Sequence, residues 1–123
     1  MIRSVSIAAF VGAMVVATPA LAGPDAGETL FKQRCQMCHT RAPDARNGVG
    51  PNLWGLSGRK AGTAPNFKYS TSLTKSDIKW SQQTLDQFLT LPNKMVPGTR
   101  MVVSIPKEAD RKAVVQFLLS KKK

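Results

Sequence analysis

Residues 35–39 read Cys35-Gln36-Met37-Cys38-His39, in a chain of 123 residues that contains no other cysteine and no other histidine. A disulfide between two cysteines three positions apart would close a very small loop and would restrain the unfolded chain little. Stabilisation therefore explains the pair poorly. We interpret these five residues as a site of chemistry.

The spacing Cys-x-x-Cys-His is the signature of covalent haem attachment. Two thiols three positions apart on a helical turn can add to the two vinyl groups of one porphyrin, and the next residue is then held under the iron. The motif predicts one covalent haem c, attached through Cys35 and Cys38, with His39 as an axial ligand of the iron.

Other uses of the motif are disfavoured by the rest of the sequence. A thioredoxin-like redox pair follows a parallel strand, and no strand pattern precedes Cys35. A zinc site usually takes a second cysteine pair, which the chain lacks. A haem enzyme or gas-binding protein with an open iron would need a distal acid–base group, and with His39 committed no second histidine exists to serve. We therefore expect a protein that is not an enzyme.

The first 22 residues have the organisation of a cleaved secretion signal. Arg3 supplies a positive start, residues 7–16 are apolar, and residues 20–22 have the small-x-small pattern of a cleavage site. The apolar run is too short to span ~30 Å of hydrocarbon. This pattern predicts cleavage after Ala22, a mature domain of residues 23–123 and a soluble periplasmic protein.

The formal charge of the chain is +11, and removal of residues 1–22, in which Arg3 is the only charged residue, would leave +10. Such a surplus favours acidic partners. Nucleic acid is disfavoured because an exported protein rarely meets it, and membrane contact would be peripheral at most. We expect a monomer that docks on acidic proteins.

The hydrophobic pattern predicts an all-α fold with three main helices and long loops. Asp25 is expected to cap the first helix, which delivers the cysteines. Ser81 is expected to cap the second helix and Pro92 to end it, while Pro106 suits the first turn of the third.

Residues 40–79 show no sustained hydrophobic period. Glycine and proline interrupt this segment at Gly48, Gly50, Pro51, Gly55, Gly58, Gly62 and Pro65. A loop of that length inside a small domain is unusual. It is understandable if the loop wraps a large cofactor that completes the core.

The second axial ligand stays open on spacing alone. The methionines of the mature chain are Met37, Met95 and Met101. Met37 lies between the cysteines, where geometry points it away from the iron. Met95 and Met101 both follow the second helix, and residues 97–101 form a stiff Pro-Gly turn that could deliver a side chain from a distance.

Taken together, these motifs resemble the class I single-haem cytochromes c, most closely the group of mitochondrial cytochrome c and bacterial cytochrome c2. The likeness runs from Gly27 to about Leu118 with order and spacing kept up to Met101. It implies the small cytochrome c fold around one covalent haem, with His39 and Met101 as iron ligands. It also implies one-electron transfer between respiratory or photosynthetic partners, such as a cytochrome bc1 complex, a terminal oxidase, a reaction centre or a periplasmic dehydrogenase.

The resemblance also implies roles for further residues. The carbonyl of Pro51 would accept the second N–H of His39, while Arg59, Tyr69 and Trp80 would hydrogen-bond the haem propionates. Among the remaining matches, Gly27 and Phe31 resemble the helix-packing pair of the family.

Some positions depart from the family pattern. Leu73 stands where the family often has a buried asparagine, and Phe88 stands where it usually has a tyrosine near the ligand sulfur. Val103 and Phe117 replace two further aromatic residues of the pattern. The first two changes remove polar groups from the implied haem pocket.

Three basic residues adjoin the implied haem contacts. Arg34 precedes Cys35, Arg100 precedes Met101, and Lys94 lies in the same loop as Met101. We call Arg34, Lys94 and Arg100 the basic ring. We expect it to surround the haem edge and to steer the protein to acidic partners.

Overall fold

The computed structural model of the chain describes residues 6–16 and 24–120. Residues 6–16 form no helix or strand, and every side chain in this segment is exposed. Arg3 and the cleavage site expected after Ala22 lie outside the described residues. No helix in the described part of the chain is long and apolar enough to cross a membrane.

The described residues form helices and loops, with no strand beyond an isolated bridge between Lys60 and Lys79. The helices are α1 (Pro24–Arg34), α2 (Thr71–Thr74), α3 (Gln82–Thr90), α4 (Pro92–Met95) and α5 (Glu108–Leu119). The predicted all-α class is confirmed, and α1, α3 and α5 are the three main helices. Helices α2 and α4 were not expected, because helices of four residues are too short to show a hydrophobic period.

Two of the expected helix starts are wrong. Helix α1 begins at Pro24, so Asp25 lies in the first turn and not at the cap. Its carboxylate still lies at the positive end of the helix dipole. Helix α5 begins at Glu108 after an extended Lys107 at the N-cap, so Pro106 lies outside its first turn. Arg111 Nη1 donates to the carbonyl of Pro106 at 3.0 Å.

The start of α3 agrees with its prediction. Ser81 Oγ accepts the backbone N–H of Thr84 at 3.2 Å, and Thr84 Oγ1 accepts the backbone N–H of Ser81 at 2.8 Å. This reciprocal pair is a capping box with threonine in place of the usual Glu or Gln. The helix ends at Thr90, and Pro92 starts α4 directly afterwards, where its missing N–H costs nothing.

The core begins where α1 crosses α5. A Cβ at Gly27 would overlap the backbone carbonyl of Ala113, so the two helices approach as closely as a glycine permits. Phe31 packs on Phe117 with ring centroids 5.4 Å apart. The predicted packing pair of Gly27 and Phe31 is therefore confirmed. Helix α5 also contacts α3, where Arg111 Nε donates to Asp86 Oδ1 at 2.7 Å.

Candidate haem-binding site

A cavity of about 490 Å³ lies between the turn after α1, the long loop 40–79, helix α3 and the segment after α4. Its volume is within the range of about 300–1,000 Å³ that is typical of cofactor pockets. All eight residues predicted for the site line it: Cys35, Cys38, His39, Pro51, Arg59, Tyr69, Trp80 and Met101. The segment 40–79, which is irregular apart from α2 and the Lys60–Lys79 bridge, thus wraps this space.

The cysteine motif continues the helical path beyond α1. The N–H of Cys35 donates to Phe31 O at 2.8 Å, and the N–H groups of Cys38 and His39 both donate to Cys35 O, at 3.0 and 2.9 Å. This turn brings both thiols and the imidazole to the cavity wall. Both thiols are free. Met37 is 87% exposed and points away, as predicted.

The environment of Cys35 suits a neutral thiol. Burial raises the pKa of Cys35 to about 11. The positive charge of Arg34 acts to lower this pKa, and the neighbouring Cys38 acts to raise it. The thiolate is the form that binds metals and exchanges disulfides. At neutral pH the Cys35 thiol is therefore a poor nucleophile for thioredoxin-like exchange.

His39 is held in one tautomer. Its Nδ1 donates to Pro51 O at 2.8 Å, and a carbonyl can only accept, so Nδ1 carries the proton and Nε2 keeps its lone pair. Burial lowers the pKa of His39, partly opposed by the bond to Pro51. The neutral imidazole is the form that binds a metal. The contact implied between His39 and Pro51 is therefore present in the structure.

Gly50 lies close against the imidazole ring of His39. A Cβ at this position would overlap His39 Cε1, so no other residue leaves room for the ring. The N–H of Gly50 also donates to Cys38 O at 2.7 Å, which joins the loop to the cysteine motif. A glycine is required at position 50 because the backbone and the ring of His39 lie too close together for a side chain.

Arg59 places a guanidinium in the cavity wall. Nη1 donates to Trp54 O at 3.0 Å and Nη2 to Asn52 O at 3.1 Å, while Nε is buried with no hydrogen-bond partner among the described residues. Burial lowers the pKa of Arg59. No Asp or Glu of the described residues lines the cavity. Because an unpaired buried donor is costly, this arrangement fits a ligand that carries carboxylates.

Tyr69 and Trp80 complete the same part of the wall. Tyr69 Oη accepts the N–H of Ala64 at 3.0 Å, which leaves the hydroxyl proton to be donated elsewhere. Burial raises the pKa of Tyr69, so the phenol stays protonated. Trp80 is buried and packs edge-on against Phe88 with centroids 5.1 Å apart.

The structure separates the candidate methionines. Met101 lines the cavity together with His39, whereas Met95 lies in α4 and packs against the core. Three of the four departures from the family pattern, Leu73, Phe88 and Val103, line the cavity. At Leu73 and Phe88 an apolar side chain stands where the pattern has a polar one. The segment 97–101 also brings in Thr99, a buried polar residue that the sequence analysis did not single out.

The basic ring is only partly assembled around the cavity. Arg34 and Arg100 line it, whereas Lys94 is exposed on α4 and does not. Another arginine outside the ring, Arg41, stacks on Phe117 with its guanidinium carbon 4.2 Å from the ring centroid, and on Trp54 at 5.4 Å. Trp54 therefore presents its ring to the guanidinium of Arg41.

Comparison with known proteins supports the same interpretation. The family model of cytochrome c matches residues 24–122. A cytochrome c2 of Rhodoblastus acidophilus is 44% identical over 96 residues, which are 77% of this chain and 89% of that protein. A cytochrome c2 of Rhodomicrobium vannielii is 40% identical over 119 residues, 94% of each chain. A cytochrome c of Ginkgo biloba is 40% identical over 96 residues, 77% of this chain and 85% of that protein.

Proposed function

Because this chain belongs to the cytochrome c family, whose members are electron carriers with one covalently bound haem c and not enzymes, we propose that it is a periplasmic carrier with His39 and Met101 as iron ligands. One observation carries this proposal. His39, with Nε2 left to bind a metal, and Met101 line the same cavity as the two free thiols of Cys35 and Cys38.

The periplasmic location and the domain boundary rest on the amino terminus. Its first 22 residues have the pattern of a secretion signal, so we propose cleavage after Ala22 and a mature domain of residues 23–123. The exposure of residues 6–16 supports this, because the segment contributes no side chain to the core.

When bound, the haem iron supplies a one-electron couple whose potential the protein sets. The imidazole of His39 and the thioether of Met101 would leave no open coordination position, and a thioether raises the potential relative to a second histidine. Pro51 fixes the orientation of His39 through Nδ1. The apolar wall that includes Leu73 and Phe88 would raise the potential further by disfavouring additional positive charge.

Arg59, Tyr69 and Trp80 would hold the haem propionates. Arg59 Nε is a buried donor ready for a carboxylate, and the Tyr69 hydroxyl keeps its proton to donate. Arg59 and Trp80 are also linked through the backbone, since the N–H of Trp80 donates to Arg59 O at 2.9 Å. The charge of Arg59 would offset that of the propionates inside the cavity.

The partners would be acidic redox proteins that meet the basic ring. A cytochrome bc1 complex, a terminal oxidase, a reaction centre and a periplasmic dehydrogenase are the candidate classes. Arg34 and Arg100 support the proposal because they line the cavity, where a partner would approach the cofactor. The surplus of basic over acidic residues in the whole chain supports it as well.

Covalent attachment is tested directly on protein exported from a bacterium that attaches haem c. We expect the denatured protein to keep its haem on a gel and to resist acid–acetone extraction, because the thioether bonds survive unfolding. The double variant Cys35→Ala with Cys38→Ala should lose its haem under the same conditions. Free haem in the extract of the unchanged protein would contradict the proposal.

Ligation is tested by a matched pair of methionine variants. The oxidised protein should show a low-spin spectrum with the weak red band of sulfur-to-iron charge transfer. Met101→Ala should abolish this band and lower the reduction potential, because a thioether ligand is lost. Met95→Ala removes a methionine that does not line the cavity, so band and potential should persist. The opposite result for the two variants would overturn the assignment of Met101.

A further inference from the structure

We propose that Asn47 is a positioning residue that tunes His39 through the peptide group between Pro51 and Asn52, an inference that rests on the proposed ligation by His39. The two ends of the Asn47 side chain amide are both engaged. Oδ1 accepts the backbone N–H of Asn52 at 2.8 Å, and Nδ2 donates to Pro65 O at 2.9 Å. These two partners define which end of the amide faces which way, because a backbone N–H only donates and a carbonyl only accepts.

Asn47 and His39 are hydrogen-bonded to opposite ends of the same peptide group. Its carbonyl, Pro51 O, accepts the Nδ1–H of His39 at 2.8 Å, and its N–H belongs to Asn52. The hydrogen bonds therefore run in one line from His39 through a single peptide unit to Asn47, and from there to Pro65. Hydrogen bonds in such a chain polarise one another by about 10–30% per bond. The bonds of His39 and of the Asn52 N–H are part-buried, and the bond to Pro65 lies at an exposed position.

The direction of the effect follows from the chemistry of an amide. When the N–H of a peptide donates to a good acceptor, electron density shifts toward its carbonyl oxygen, which then accepts more strongly. Asn47 thus makes Pro51 O a stronger acceptor, which gives the imidazole of His39 more negative character and makes Nε2 a better electron donor. A better donor favours the oxidised metal, so Asn47 lowers the reduction potential of the loaded protein.

Hydrogen bonds of the Asn52 side chain also hold this peptide group in place. The loss of Asn47 should therefore change the polarisation of the peptide without unfolding the loop. The side chain of Asn52 donates to Ala42 O at 2.9 Å and to Ala45 O at 3.1 Å, and its Oδ1 accepts the N–H of Trp54 at 3.1 Å. These bonds hold the loop without Asn47. A variant that loses the Asn47 amide should therefore keep His39 in place while the peptide is less polarised.

The experiment compares three variants of the haem-loaded protein. Asn47→Leu is nearly isosteric and loses both hydrogen bonds, while Asn47→Asp keeps an acceptor for Asn52 and loses the donor to Pro65. Thr40→Val is the control, because it removes a bond of the same loop, from Thr40 Oγ1 to Arg46 O at 2.7 Å, that does not touch the peptide of residues 51–52. Each variant is measured by redox titration and by the NMR resonance of the His39 Nδ1 proton in the reduced state.

For Asn47→Leu we expect an unchanged low-spin spectrum, an upfield shift of the Nδ1 proton and a shift of the reduction equilibrium of about threefold toward the reduced form. For a one-electron couple this is on the order of 30 mV. Asn47→Asp should not raise the potential, because the bond to Asn52 persists. Thr40→Val should change neither measurement.

Several results would overturn the proposal. It fails if Asn47→Leu leaves both the potential and the resonance unchanged, if Thr40→Val shifts them equally, or if Asn47→Asp raises the potential as Asn47→Leu does. Should Asn47→Leu not retain haem, Asn47→Ala takes its place with the same two measurements and the same expected direction. A failure of the underlying ligation would be distinct, because the unchanged protein would then lack the low-spin spectrum and the Nδ1 resonance.

Discussion

At the scale of single residues, the site depends on polar groups whose partners are already assigned. Pro51 O fixes the tautomer of His39, Gly50 leaves room for the imidazole ring, and Arg59 is braced by two backbone carbonyls. These groups are held by hydrogen bonds and close contacts that come from the backbone of the loop 40–79.

Arg59 provides a test at this scale. Arg59→Gln loses a charge beside the cavity and weakens the bonds to Trp54 O and Asn52 O, so we expect the free energy of unfolding to fall by about 2–4 kcal/mol. The reduction potential should also fall, because a nearby positive charge that disfavours the oxidised state is gone. Denaturant unfolding and redox titration of the loaded protein measure the two effects.

The neighbouring residue supplies the control for Arg59. Lys60→Gln makes the same charge change at a half-exposed side chain that pairs with Asp77 at 2.9 Å. Solvent screens such a pair, so stability should change by no more than about 0.5–1 kcal/mol and the potential should shift less than in Arg59→Gln. Equal effects in the two variants would show that total charge matters and that burial of Arg59 does not.

At the scale of elements, the crossing of α1 and α5 holds the cysteine motif in place. Helix α1 leads directly into the turn of Cys35, and it is seated on α5 through Gly27 and Phe31. Arg41, just beyond the motif, is bound to the end of the same helix, with Nη2 donating to Phe117 O at 2.9 Å. The motif is thus attached to α5 on both sides.

Gly27→Ala distinguishes helix propensity from packing. Propensity alone predicts a gain of about 1 kcal/mol in the free energy of unfolding, because glycine is a poor helix former. The added Cβ, however, would overlap Ala113 O, a backbone atom that cannot rotate away. Overpacking typically costs about 1–3 kcal/mol, so we expect a net loss of stability in denaturant titrations of the loaded protein. A rise in stability would contradict the close contact of α1 with α5.

At the scale of the whole molecule, charge is distributed so that the cavity meets basic residues and no acidic ones. Arg34, Arg59 and Arg100 line it, and no described Asp or Glu does. The formal charge of +11 adds a long-range field to this local arrangement. Such a field raises the rate of encounter with an acidic partner more than it raises final affinity.

The salt dependence of electron transfer tests this field. The rate with an acidic partner should be fast at low salt and fall steeply as salt rises, since the Debye length shrinks from about 30 Å at 0.01 M to about 10 Å at 0.1 M. Reversing the charges of Lys94 and Arg100 to Glu should slow association in stopped-flow experiments without altering the spectrum.

A charge reversal elsewhere completes that experiment. Lys112 lies on α5, does not line the cavity, and is paired with Glu108 at 3.1 Å. Lys112→Glu changes the net charge by the same amount per residue and should slow association much less. Rates that stay flat across the salt range, or that respond equally to Lys112→Glu, would rule out the basic ring as the docking surface.

The features that the sequence alone determined are local or chemically distinctive. The cysteine motif, the helix cap at Ser81 and the three main helices each depend on residues within a few positions of one another, so their spacing predicts them directly. The family resemblance added the implied contact of His39 with Pro51, which the structure contains. Local patterns failed at Asp25 and Pro106, where either residue type is compatible with more than one position at a helix start.

The tertiary structure decided what depends on residues far apart in the chain. Only the fold shows that Met101 and not Met95 lines the cavity, that Arg41 binds the end of α5, and that Asn47 joins the peptide behind His39 to Pro65. No spacing rule connects these residues, because their proximity is set by how the loop 40–79, the segment after α4 and helix α5 come together in the fold. Loop closure over such distances is governed by the sum of many contacts, and no short motif contains that information.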